Sequence, residues 1–129
     1  MRPLPVLLLI AASAVCATAA GCGSDRGARP PTARERAAIT AGAKRHLRPF
    51  LRSRGLHARV ERIAVSRRDP HFAYAEAEPL NAAGQQVSET TEIVLVQAAG
   101  EWIALLDGTD LASVCLHPAP QPVVDLLCH

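Results

Sequence analysis

The hydrophobic and polar positions of the 129-residue chain change period after Gly55. Upstream, from Thr32, the period is helical. "TARE", Thr32 to Glu35, has the form of a capping box, in which the threonine hydroxyl and the glutamate carboxylate satisfy two backbone amides at a helix start. Ile39, Ala43, Leu47, Phe50 and Leu51 then recur at spacings of three and four, which predicts one apolar stripe. Arg34, Arg45, Arg48 and Arg52 fall opposite it. Pro49 lacks an amide hydrogen and crowds the carbonyl of Arg45, so a kink is expected there, with Gly55 as terminator. Downstream the period is two. Leu56 to Ser66 and His71 to Glu78 read as strands joined through "RRDP", and Val87 to Gln97 pairs with "WIALLDG" through a turn at Gly100. Ala73, Ala75 and Ala77 share one face and would let a helix approach closely; Trp102 alternates with Ala104 and Leu106 and reads as a core anchor. Pro118, Pro120 and Pro122 punctuate a loop before "VVDLLC", a short closing helix. The expected architecture is α+β: an N-terminal helix on a four-stranded antiparallel sheet, followed by a short C-terminal helix.

The amino end has a different pattern. A cation at Arg2 precedes the apolar run Val6 to Val15 and the small residues Ala17 to Gly21, which is a signal-peptide profile. About 10 apolar residues are too few for a hydrocarbon core that needs roughly 20. "AAGC", Ala19 to Cys22, resembles the lipobox of bacterial lipoproteins, with Ala19 where that family commonly has Leu. The resemblance implies that Cys22 carries a diacylglyceryl thioether, that the signal peptide 1–21 is removed, and that the new amino terminus is acylated, palmitate being one such group. Plain secretion with cleavage after "ATA" and a retained buried segment are the alternatives. Gly23 to Pro31 is polar, with Gly and Pro but no apolar period, so residues 22–31 read as the lipidated cysteine and a tether reaching up to roughly 30 Å. Residues 32–129 form the expected single domain.

Cysteine usage follows. Cys16 would leave with the signal peptide and Cys22 would be consumed, which leaves Cys115 and Cys128. An extracytoplasmic compartment favours a disulfide between them. Cys115, His117, Cys128 and His129 also supply zinc-type ligands, but C-x-H and C-H are tight spacings for tetrahedral chelation, so no metal or other cofactor is expected. Free thiols are the third possibility.

Charge is lopsided although the net value is only +2. Between Arg26 and Arg68 there are 13 basic residues against Glu35 and Glu61; from Asp69 onward there are nine acids and no Lys or Arg. Either the halves neutralise each other within one fold or the basic half meets an anionic partner. The candidate contact surface is Arg34, Arg45, Arg48 and Arg52, facing an envelope protein or an anionic lipid surface. No recognition motif accompanies the arginines, which argues against nucleic acid. Arginine in place of lysine, with abundant alanine, resembles the usage of proteins from high-GC bacteria such as actinobacteria.

"AVSRRDPHFAYA", "GEWIALLDGTD" and the C-terminal "VVDLLC" resemble small secreted or lipid-anchored actinobacterial α+β proteins to which no activity is attached, with Phe72 where that pattern has Trp. Nucleophile-elbow, zinc-protease, phosphate-loop and dinucleotide motifs are absent. Asp69, His71 and Ser66 could be drawn as an acid-base-nucleophile set, yet Asp-Pro is first a turn former. Glu76, Glu78, Glu89 and Glu92 read as a solvated sheet face partnered by arginines, with a cation patch as the alternative. The chain thus reads as a non-catalytic, lipid-anchored, extracytoplasmic module of the bacterial envelope. The alternative is a cystatin-like or NTF2-like ligand module with a cavity lined by Phe72, Tyr74 and Trp102; an enzyme comes third.

Overall fold

The computed structural model describes residues 27–128. The signal peptide assigned to 1–21, Cys22, residues 23–26 and His129 lie outside the described residues.

Helix α1 spans Ala33–Arg52. Its start is the expected capping box: Thr32 Oγ1 accepts from the Glu35 amide at 3.1 Å, and Glu35 Oε1 accepts from the Thr32 amide at 2.9 Å. Ile39, Ala43, Leu47 and Leu51, four residues apart, are buried. Phe50 departs from the expected stripe and is 57% exposed, although it lies only about 20° around the helix from buried Ala43. The helix runs through Pro49 to Arg52. Gly55 then adopts φ 69°, and the Leu56 amide donates to the Leu51 carbonyl at 2.9 Å, closing the last turn as the terminal glycine promised.

The sheet is antiparallel and follows chain order: β1 (Ala28–Arg29), β2 (His57–Ser66), β3 (Phe72–Leu80), β4 (Thr91–Ala98) and β5 (Glu101–Gly108). It therefore has five strands where four were expected. The additional strand falls in the stretch read as tether. Ala28 pairs with Ser66 and Arg29 with Val65, while the Arg67 amide and Nε donate to the carbonyls of Gly27 and Ala28 at 3.0 and 2.8 Å. Two residues show no alternation, so this pairing leaves no trace in the pattern. Between β4 and β5, Ala99 and Gly100 both take positive φ, 51° and 80°, the twist that a two-residue hairpin turn requires.

Both faces of the sheet are covered. On one, α1 packs over Val65, Ala73, Ala75, Ala77, Ile93, Leu95 and Trp102. The alanines permit close approach, and Gly42 brings the helix closest: a Cβ there would lie 2.6 Å from the Trp102 carbonyl oxygen. On the other face a 3-10 helix (Leu111–Leu116) and α2 (Gln121–Leu127) pack Leu111, Val123 and Leu126 on Tyr74, Val94 and Ala28. A helix of seven residues has no independent stability. The Cys115–Cys128 disulfide, with Cα atoms 5.8 Å apart, ties its end to the 3-10 helix. Leu106 packs on this second face rather than with Trp102 and Ala104, because Leu95 pairs with Ala104 and Val94 with Leu106, leaving Leu105 as the extra residue of a bulge that inverts the alternation.

Candidate functional site

Arg34, Arg45, Arg48 and Arg52 are all exposed on α1, opposite its buried residues. Only Arg45 has a carboxylate nearby, Glu101 at 3.8 Å, with both side chains more than half exposed, a pair worth little. Arg34, Arg36, Lys44, Arg48 and Arg52 have no ion-pair partner among the described residues. The single acid of α1, Glu35, is engaged by the two guanidinium nitrogens of Arg29 at 2.8 and 2.9 Å. This bidentate bond, reinforced by the Thr32 amide, holds the Glu35 carboxyl down at about 2. Near the C-terminal end of α1, the Arg54 guanidinium stacks 4.4 Å over the exposed Phe50 ring.

The basic residues of β2 and the following turn behave differently from those of α1. Arg59 pairs with Glu78 at 2.5 Å and with Glu61 at 2.6 Å, Arg62 with Glu76 at 3.0 Å, and Arg68 with Asp125 at 2.8 Å, which holds the Asp125 carboxyl below its ordinary range. His46 of α1 meets Asp107 at 2.8 Å. Neutralisation between the halves of the chain therefore operates chiefly at the sheet, and the outward arginines of α1 remain outside it. Glu76 and Glu78 are cross-strand partners of arginines as expected. Glu89 stands instead in the loop before β4, and Glu92, opposite Glu76, accepts from the Tyr74 hydroxyl and the Leu111 amide rather than from an arginine.

On that second face a cavity of about 250 Å³ opens beside the C-terminal cap, bordered by Arg62, Tyr74, Glu76, Glu92, Leu126 and Leu127 among others. The Tyr74 hydroxyl lies 2.8 Å from Glu76 Oε1 and 2.9 Å from Glu92 Oε1, so one proton serves two carboxylates. Burial, with these two neighbours, pushes the phenol well above its usual range. Glu92 Oε2 also accepts from the Leu111 amide at 2.9 Å, fixing the start of the 3-10 helix. The expected ligand cavity is not assembled as envisaged: Phe72 and Tyr74 pack on the second face, whereas Trp102 is buried under α1 on the first. Sequence reading singled out Tyr74, Glu76 and Glu92 without seeing that they converge. Alternation places them on one face, but only the register of β3 and β4 makes them neighbours.

The remaining candidates resolve into local structure. Asp69 Oδ1 accepts from the His71 amide at 3.0 Å and lies 2.9 Å from His71 Nδ1; the amide bond first, then the ring, keep this carboxyl below its normal range. Ser66 Oγ accepts from the Asp69 amide at 3.1 Å, so the three residues build the β2–β3 turn. Cys115 and Cys128 are joined to each other, His117 is exposed, and no cluster of metal-type ligands occurs among the described residues. Cys22 lies outside them. No family model, curated protein or solved structure matches the chain.

Proposed function

We propose that this chain is a lipid-anchored, extracytoplasmic protein of the bacterial cell envelope, held to the cell membrane through Cys22, whose domain serves as a non-catalytic binding or accessory module. The observation that carries the reading is the Cys115–Cys128 disulfide. It uses the two cysteines that remain once the apolar leader and the "AAGC" cysteine are set apart, and a bond of this kind belongs to an oxidising compartment. One acyl chain binds a bilayer only marginally, whereas the two or three implied by a lipobox anchor stably. Fractionation of cells expressing the Cys22→Ser variant tests the reading. The variant is expected to leave the membrane fraction; membrane retention equal to wild type would refute the anchor.

A ligand-binding module is the second reading, and the cavity beside Tyr74 favours it. It is the weaker one. At about 250 Å³ the cavity falls below the roughly 300 Å³ at which small-molecule pockets begin. Its polar groups also satisfy each other: Tyr74 with both glutamates, Arg62 with Glu76, and the Leu111 amide with Glu92.

A further inference from the structure

We infer that the outward face of α1 docks flat against an anionic lipid surface, so that the domain lies on the bilayer rather than standing away from it. The inference rests on the anchor at Cys22 and adds the partner and the orientation.

Two observations carry it. The first is charge. Along a helix of about 30 Å, Arg34, Arg45, Arg48 and Arg52 form one line, Lys44 flanks it, and the only acid of the helix is turned away into its pair with Arg29. The rest of the outward face is Ala37, Ala38 and Ala41, side chains too short to hold a planar surface off the guanidinium groups. A protein partner would meet a ridge with no cleft or knob, whereas a sheet of phosphates needs only a convex cationic strip. The second is reach. β1, the Arg67 bonds and the contact of Gly27 with Asp125 fix the chain from residue 27 onward. Only the links from Cys22 to Gly27 remain, spanning at most about 17 Å. The domain is thereby confined to the zone where lipid charge is felt.

Trp102, the one tryptophan of the chain, lies directly beneath Gly42 of α1 and reports the orientation. Full-length protein extracted from membranes is reconstituted in vesicles of phosphatidylcholine, alone or with phosphatidylglycerol, carrying dansyl headgroups. Energy transfer from Trp102 is then measured at about 0.01 M and about 1 M salt, where screening lengths are about 30 and 3 Å. Docking requires transfer to rise about two-fold when phosphatidylglycerol is added at low salt and to fall back at high salt. A triple Arg45→Gln, Arg48→Gln, Arg52→Gln variant should lose the rise. The matching Lys variant should keep it, since a lipid surface reads charge and not guanidinium geometry. Equal transfer in both vesicle types overturns docking. So does a rise that the Lys variant loses, which would mean a bidentate site for a macromolecular partner. Flotation of the same samples keeps the two readings apart. Protein that floats with neutral vesicles but shows equal transfer is anchored and undocked; protein that floats only with phosphatidylglycerol is docked without an anchor.

Discussion

The α1 face and the cap face of the sheet share the same strands yet are held by different forces. Under α1 the contacts are apolar, the β3 residues are alanines, and Gly42 and Trp102 meet backbone to backbone. Under the cap, Leu111, Val123 and Leu126 supply a smaller apolar cluster, and the remainder is a phenol between two carboxylates, an arginine, a cavity and a disulfide. A long amphipathic helix stabilises its face by area alone. The short C-terminal elements do not bury enough and depend on a covalent staple and specific hydrogen bonds. The two faces should therefore fail in different ways.

The largest effect is expected at Gly42. Any side chain must push against the Trp102 backbone, so Gly42→Val should destabilise by about 3 kcal/mol or more and shift the denaturant midpoint of the whole domain. Wild-type stability in this variant would mean that α1 does not sit on β5 as described. Next comes the staple. Replacing both Cys115 and Cys128 by Ala should remove about 3 kcal/mol, as expected for a closed loop of this length, and hydrogen exchange should show the loss concentrated in the 3-10 helix and α2. Uniform loss across α1 would break the comparison.

Tyr74→Phe should cost about 1–2 kcal/mol, because two partly buried carboxylates lose their shared donor. Tyr74 is also the only tyrosine, so alkaline absorbance titration reads it alone. Its raised folded pKa contributes stability that is present below the unfolded value near about 10 and is lost as pH rises beyond it. Tyrosinate should therefore appear only with unfolding, and Glu92→Gln should lower the midpoint. The smallest effect concerns Glu35. Its folded pKa of about 2 is depressed, so its contribution is present above the ordinary carboxylate range and lost as pH falls through about 2. Glu35→Gln should be less stable than wild type by about 1 kcal/mol at neutral pH, and the two should converge near pH 2. A gap that persists in acid would assign the effect to packing.

The α1 face was the more legible of the two in the sequence. Thr32 and Glu35 announce the helix start, a four-residue period announces its buried stripe, and Ala73, Ala75 and Ala77 announce a close-packed partner. These are local or periodic signals. The cap face depends on pairings between distant positions. β1 is two residues long, the 3-10 helix has neither a long period nor a capping side chain, and the Tyr74 network exists only in the register of β3 and β4. The bulge at Leu105 shows the same limit, since one extra residue sends Leu106 to the opposite face from the one that alternation assigns. The outward arginines were visible as a stripe. Which of the basic residues are neutralised was not, because Glu78, Glu76 and Asp125 reach Arg59, Arg62 and Arg68 only through strand pairing and the docking of α2.

An anchored module that lies on its membrane begins with the chemistry of Cys22, and intact mass of the native chain tests it most directly. The membrane fraction should yield a polypeptide that starts at residue 22, bears acyl mass on that cysteine, and retains one disulfide. A chain recovered from the cytosol with Met1 in place and an unmodified Cys22 would contradict the anchor and the orientation built on it.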